Sequence, residues 1–461
     1  MTAGYSAGMG PLEHAYSYRF TSALDDGAGG RRLRLATSGG AAASPYFFRG
    51  LLTRPQHTGV LLLAVAEVAS RRFFVPGAML ARILREADPV VTSGGERLRF
   101  EAFSLCVGVY ARCDLHPGAL EGDWVGRGTT NVDFGPPMRS ALASLLDGEP
   151  VGLSVGVETV ELERDGGTVV ERKVRLLPRW LKGFVEVQCY QAEMTPAYEL
   201  AGAEAVRLLG SLPREVPMSG PPAYLLPAGR TFRFSQRPGP GSLQVGAPAR
   251  LRILARLVHG ARALRIYRHP EGASGWELLF DDSRFTMVLS PEASRGFSGE
   301  GQALLALAAT DEGAALPRVR AALRWQARLD PELLARETGL EAPAIRSALA
   351  RLGARGLVGF DLGDGSWFHR ELPFDLAAVE ELQPRLVAAR ALVTAAGVRL
   401  VEGSGDRAEA WVRGAEVEHR VRLGPDGDRC SCPWSSRHQG ERGPCKHILA
   451  ARLFLGVDGD P

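Results

Sequence analysis

Lysine is nearly missing from this chain. Of its 55 basic residues only Lys173, Lys182 and Lys446 are lysines, and every other cation is arginine. With its many alanines and glycines this fits GC-rich coding, although arginine remains the better fork for phosphate and carboxylate wherever it clusters. Net charge is scarce too. A formal +3 over 461 residues excludes a surface that traps nucleic acid everywhere, so any DNA contact must be local. Six cysteines are too few for a secreted disulfide scaffold, and three of them fall in one short stretch, so a reducing cytoplasm is expected. The longest apolar run, around residues 59–66, is far shorter than the about 20 residues of a membrane span. The opening MTAGYSAGMGPLEH has no basic start followed by an apolar stretch and does not read as a signal peptide. No Walker-type loop occurs, and Gly27, Gly29 and Gly30 lack the following helix and lysine that phosphate binding needs.

What is present is an ordinary globular composition, 45% apolar and 23% charged, on a chain long enough for roughly two to four domains. Residues 60–72 carry Leu61, Val65, Val68 and Ala69 at helical spacing, and residues 79–87 repeat the pattern, which predicts two helices. Phe103, Leu105, Val107, Val109 and Ala111 alternate with Ser104, Gly108, Tyr110 and Arg112, the period of a strand. Residues 155–176, interrupted by Asp165, Gly166 and Gly167, read as an antiparallel hairpin. The expected layout is multi-domain α+β. It comprises an α+β region (1–213), a Pro/Gly-rich linker (214–249), a small β-rich module (250–300), a winged-helix-like segment (301–393) and a zinc-stabilised strands-plus-helix unit (394–461). Short strands are expected at 251–258, 263–269, 276–280 and 285–289 within the β-rich module.

Residues 316–370 resemble a winged helix-turn-helix. Asp330 and Pro331 open a helix that ends at Gly339, and Pro343 begins a second. There Ile345, Leu349 and Leu352 form a core stripe, while Ser347, Arg351 and Arg355 recur on the opposite side as candidate DNA contacts. The strand-like LVGFDL, the turn Gly363-Asp364-Gly365 and SWFHREL would form the wing.

Near the end stands CSCPWSSRHQGERGPCKH. Cys430 and Cys432 are two apart, which on a strand puts both sulfurs on one face. Cys445 and His447 are also two apart, which in a regular helix is about 200° of rotation, so the pair must straddle a helix start. Pro444 and the run 448–455, closed by Gly456, supply that helix. Three thiolates and an imidazole suit one Zn²⁺ in a closed tetrahedral structural site, which leaves no position for a catalytic water. His438, within the gap, is a competing ligand. This Cys-x-Cys, gap, Cys-x-His pattern, preceded by strand-like segments at 398–402, 409–413 and 417–423, resembles the SWIM zinc finger. The resemblance covers roughly the last 60 residues, favours His447 as the fourth ligand and implies DNA or protein binding. Bacterial SWIM proteins resemble the rest of the chain, which suggests a helicase-like or MoxR-type ATPase partner.

Other candidates read as structural. Cys106, Cys113 and Cys189 lack metal partners, and His259, His269, His369 and His419 lie in or beside strand-like segments without paired carboxylates or cysteines. The unusual stretch around Asn131 and Asp133 fits turns and helix caps. The expectation is a non-enzymatic, cytoplasmic, zinc-binding scaffold that contacts protein. DNA binding through the winged helix and finger is the alternative, and an N-terminal active site the second alternative.

Overall fold

The computed structural model describes residues 23–27, 30–34, 46–71, 73, 89–174, 176, 178–212, 222–229, 231–292, 296–297, 301, 303–308, 315–372, 381 and 383–456. The expected helix at 79–87 lies outside them. The chain opens with a hairpin of β1 (Ala23–Gly27) and β2 (Gly30–Arg34). Then follow β3 (Tyr46–Leu52), α1 (Pro55–Ser70), β4 (Val90–Ser93), β5 (Leu98–Phe103), β6 (Val109–Leu115), β7 (Leu120–Trp124) and β8 (Gly128–Asn131). Next come α2 (Pro136–Ala143), β9 (Gly152–Gly156), β10 (Thr159–Arg164), β11 (Gly167–Arg172), α3 (Pro178–Glu193), β12 (Thr195–Ala201) and α4 (Gly202–Gly210). The tight turn at Asp165 and Gly166 joins β10 to β11 as the sequence predicts.

The predicted single strand through Phe103 and Arg112 is instead two, β5 and β6, paired antiparallel around a turn. Val107 takes a left-handed φ of 55°, and the Ser104 carbonyl accepts from the Val107 N–H at 2.7 Å, which closes the reversal. The apolar period continues through the turn, so it did not betray the break.

The linker expected at 214–249 holds a three-stranded sheet of β13 (Ala223–Ala228), β14 (Thr231–Ser235) and β15 (Leu243–Gly246), ordered β14-β13-β15. Pro227 fits because it lies beyond the stretch of β13 that β15 pairs, where its missing N–H breaks no bond. Residues 251–258 are not a strand. They form α5 (Arg252–Leu257) with short 3₁₀ turns at either end, burying Ile253, Leu254 and Leu257.

The separate β-rich module is overturned as well. β16 (Ala263–Arg268), β17 (Ser274–Leu279) and β18 (Ser283–Leu289) join one antiparallel sheet, ordered β12-β16-β17-β18-β6-β5-β4-β8. Described residues from Phe47 to Leu212 and from Leu225 to Phe297 therefore share one core, built on this sheet and a five-stranded one ordered β11-β10-β9-β3-β7.

After α6 (Ala303–Ala308) come α7 (Ala315–Ala321), α8 (Pro331–Thr338), α9 (Ala342–Ala354), β19 (Val358–Asp361) and β20 (Ser366–His369). Asp330 caps α8 by accepting from the Glu332 and Leu333 N–H groups, and Gly339 ends it at φ 67°. Leu316, Val319, Leu334, Ile345, Leu349, Leu352 and Trp367 form a core of their own. The segment 301–393 nevertheless divides. α6 and α10 (Pro384–Thr394) bury Leu304, Leu307, Leu386 and Ala389 in the core of the C-terminal unit. Among the described residues no helix is long and apolar enough to cross a membrane.

The β19–β20 turn plugs into the large sheet. On β5, β6 and β18 the residues Arg99, Asp114 and Arg284 stand in one row, with Glu101 and Arg112 in the next. Such alternation normally marks a solvent face, yet these side chains are buried. Asp361 meets Arg99 at 2.6 Å, Arg284 at 2.9 Å, Arg112 at 3.0 Å and Arg97 at 3.1 Å. Arg370, just after β20, meets Glu101 at 2.7 Å. Burial works to raise the Asp361 carboxyl, but Arg112, Arg99 and Arg284 outweigh it and hold it well below the usual carboxylate range.

Asp361→Asn is isosteric and strands buried guanidiniums, so a loss of about 3–5 kcal/mol in denaturant unfolding is expected. Because the folded value is depressed, this contribution is complete above the unfolded carboxylate's pKa of about 3.9. It disappears as pH falls through the folded value. An unfolding midpoint equal to that of the wild type at neutral pH would contradict it.

Candidate metal centre

Beyond α10 runs a four-stranded antiparallel sheet of β21 (Val398–Ser404), β22 (Arg407–Arg413), β23 (Glu418–Leu423) and β24 (Arg429–Cys430), in that order. Two helices follow, α11 (Pro433–His438) and α12 (Lys446–Leu455). Cys430 lies on β24 opposite Val421, on the face that looks toward the helices. Cys432 is the N-cap of α11, and Cys445 the N-cap of α12, with His447 in the first turn. The predicted straddle of a helix start is what the backbone adopts.

Each capping sulfur accepts a backbone N–H, Cys432 from Ser435 at 3.4 Å and Cys445 from Ile448 at 3.5 Å. Cys430 Sγ lies 3.8 Å from His447 Nδ1, and all four donor atoms lie within 4.8 Å of one another. A tetrahedral zinc with bonds of about 2.0–2.3 Å sets its ligand atoms about 3.5–3.8 Å apart, so small movements complete the site. All four side chains are at least nine-tenths buried. The Cys445 thiol is drawn down to about 4, chiefly by its hydrogen bond with Cys430, which pushes Cys430 up in turn. Burial pushes Cys432 up. Three sulfurs this close compete for protons, and a divalent cation resolves the conflict by stabilising every thiolate. The residues fit one structural zinc ion.

Supports unseen in the sequence hold these ligands. Arg385, on α10, donates through Nη1 to the carbonyls of Arg442 at 2.6 Å and Pro444 at 3.0 Å, fixing the loop ahead of Cys445. Its guanidinium lies 4.9 Å from the centre of the Trp434 ring. Asp428 and Arg452, 2.6 Å apart, tie α12 to the turn before β24. No motif marks these positions, because Arg385 is remote in sequence and the others are ordinary charged residues. His438 rests with its ring 4.3 Å from Trp434 and is not one of the four clustered donors. The His419 ring lies 4.5 Å from that of His447.

The candidate DNA strip departs from expectation. Arg351 is only 5% exposed, and Ser347 and Arg355 are half-buried. The reason is that α9 is covered twice: one side faces its own core, and the other meets α3 and α6. Ser347 lines a cleft of about 870 Å³ whose far wall includes Trp434 and Cys445. Asn131 ends β8, with its Nδ2 donating to the Val174 carbonyl, and Gly135 donates to Glu171 at 3.0 Å at the start of α2. Cys113 is buried on β6, and Cys106 lies in the β5–β6 turn.

Three thiolates and an imidazole, presented by a short strand and two helix starts, define a zinc-stabilised finger. Residues 419–454 match the SWIM zinc finger family, and the chain carries a finger of that kind. No curated protein matches the chain. Among solved structures, one of Proliferating Cellular Nuclear Antigen from Entamoeba histolytica aligns at 10% identity and TM-score 0.34, covering 54% of this chain and 99% of that one. Another, the C-terminal region of FEN-1 bound to A. fulgidus PCNA, aligns at 10% identity and TM-score 0.36, covering 53% and 98%. Likenesses this distant bear no weight.

One zinc per chain is expected by metal analysis of tag-free protein. Cys445→Ser should abolish most of that zinc and open residues 383–456 to protease, because a structural zinc contributes on the order of 10 kcal/mol to folding. Cys113→Ser should leave zinc content unchanged. Acid or a chelator should reproduce the Cys445→Ser pattern, since protonated thiols release the metal. Protease resistance of this region in a zinc-free protein would refute the assignment.

Proposed function

We propose that this protein is a non-enzymatic, zinc-stabilised binding component of a larger cytoplasmic assembly, acting chiefly as a protein-binding scaffold. A helicase-like or MoxR-type ATPase is the partner class that the family resemblance suggests. Within the reading, residues 315–372 are a winged helix-turn-helix. The order of three helices and a hairpin supports this, as do the hydrogen bonds from Leu329 N–H to the Trp367 carbonyl at 2.7 Å and from His369 N–H to the Gln326 carbonyl at 3.0 Å.

The observation that carries the scaffold reading is the burial of both parts that a winged helix offers to DNA. Arg351 on α9 is 5% exposed, and Asp361 at the wing turn is sealed under four arginines. A recognition helix must reach base edges or phosphates, and the C-terminal half of this one, residues 348–354, is buried, with α3 and α6 packed against the helix. The unit therefore works as a joint between the large sheet and the finger.

An affinity pull-down from the native organism, with and without nuclease, tests the reading. A partner that survives nuclease supports it, and loss of every association favours DNA. Arg351→Ala combined with Arg355→Ala is expected to lower stability by roughly 1–3 kcal/mol through lost packing. Any salt dependence of DNA binding should stay unchanged. Two phosphate contacts at this helix would instead flatten the log-log slope by nearly two.

A further inference from the structure

The finger's sheet has two chemically distinct faces. Cross-strand rows Val398·Val412·His419, Leu400·Ala410·Val421·Cys430 and Ala408·Leu423 look toward the helices and the metal ligands. The rows between them look the other way: Arg413·Glu418, Arg399·Trp411·Arg420, Glu402·Glu409·Arg422·Arg429 and Ser404·Arg407. All six arginines of this outer face are exposed, against three glutamates, in a chain whose whole formal charge is +3. The positive charge missing from the molecule at large is concentrated here.

We propose that this outer face is a platform for single-stranded nucleic acid, with Trp411 stacking a base and the surrounding arginines meeting phosphates. The inference goes beyond the scaffold reading and uses a surface separate from α9. Trp411 is half-buried, with part of its ring open, at the centre of the face, directly between Arg399 and Arg420 across the strands. An aromatic ring set among cations on an open sheet matches the two needs of a single strand, a stacking surface and neutralised phosphates. The ring is unavailable to the stacked bases of a duplex. Glu409 does not cancel the patch. Its carboxylate accepts from Arg420 Nη2 at 2.8 Å and Arg422 Nε at 2.9 Å, which orders two guanidiniums with one negative charge. Arg407 and Arg429 carry no ion pair among the described residues and stand at the opposite end of the face from Arg413.

The test uses the full-length, zinc-loaded protein and fluorescence anisotropy with labelled oligothymidylate and oligouridylate of about twenty nucleotides, long enough for one or more single-strand sites. A duplex of equal length and heparin serve as competitors. Binding of either single strand is expected, with Trp411→Ala weakening it tenfold or more. Arg407→Glu combined with Arg429→Glu lies on exposed positions, and it should flatten the log-log salt slope by about 1.4, or about 0.7 for each phosphate contact. Preference between the two oligonucleotides identifies the strand as DNA or RNA. Zinc content equal to wild type establishes that each variant is folded, and Trp411→Phe should recover part of the affinity because it restores a ring. The inference is overturned if duplex or heparin competes as well as the single strand while Trp411→Ala binds normally, which would leave only a polyanion patch. It is equally overturned if the zinc-loaded protein binds neither oligonucleotide. That second result leaves the scaffold reading intact, because a nuclease-resistant partner tests it separately.

Discussion

A single carboxylate, that of Asp361, is shared by Arg97, Arg99, Arg112 and Arg284 where water is excluded. Four guanidiniums gathered against a sheet, three of them buried, would repel one another and lose hydration, and an isolated aspartate there would take up a proton. Each side makes the other tolerable. Asp114 and Glu277, themselves buried on the sheet, complete the balance with Arg99, Arg112 and Arg284. The arrangement requires β19 and β20 to sit over β5, β6 and β18, and that placement decides much else. With the turn anchored, the α9 helix leading into β19 lies against α3, and α6 is held between α9 and the finger. The electrostatic match thus fixes the position of an element whose own core is small.

The metal centre solves a different problem by different means. Its unit contains strands of two to seven residues and two short helices, too little apolar surface to be secure alone. Part of the deficit is met by borrowed core, since Leu304, Leu307, Leu386 and Ala389 come from α6 and α10. The rest falls to the ligands. Cys430, Cys432 and Cys445 belong to the same buried cluster as Leu449 and Val421, so metal binding and apolar packing order the same few turns. Arg385 adds a polar brace by pinning the carbonyls of Arg442 and Pro444 just before the third ligand.

The sequence was most legible where short-range chemistry decides structure. The caps and turns of α8 and α9, the hairpin at Asp165, the finger strands and all four ligands follow from local residue types, and they appear where those types place them. Long-range pairing was not legible. Nothing in residues 263–289 announces that they extend a sheet begun by β5 and β6 more than a hundred residues earlier. The stretch from Phe103 to Arg112 misled for a related reason, because its apolar period runs unbroken through a reversed turn at Val107. The arginines of α9 misled differently. Helical spacing puts Ser347, Arg351 and Arg355 on one side, but whether that side meets water depends on α3 and α6, which lie elsewhere in the chain. Burial of charge is the property that local pattern describes least well, since its permission comes from partners remote in sequence.

Register links the two faces of the finger's sheet. Side chains alternate along a strand, so a slip of one residue between β23 and β24 would exchange the faces of every residue on β24. Cys430 must face the other three ligands, and this obliges its neighbour Arg429 to face outward beside Arg422. The same pairing carries across β22, where Ala410 and Val412 turn inward and Glu409 and Trp411 turn outward. A two-residue strand such as β24 has few hydrogen bonds of its own with which to choose a register. The metal makes that choice for it, because only one register brings Cys430 within reach of Cys445 and His447. Zinc at the inner face is in this sense a determinant of the charge pattern at the outer one.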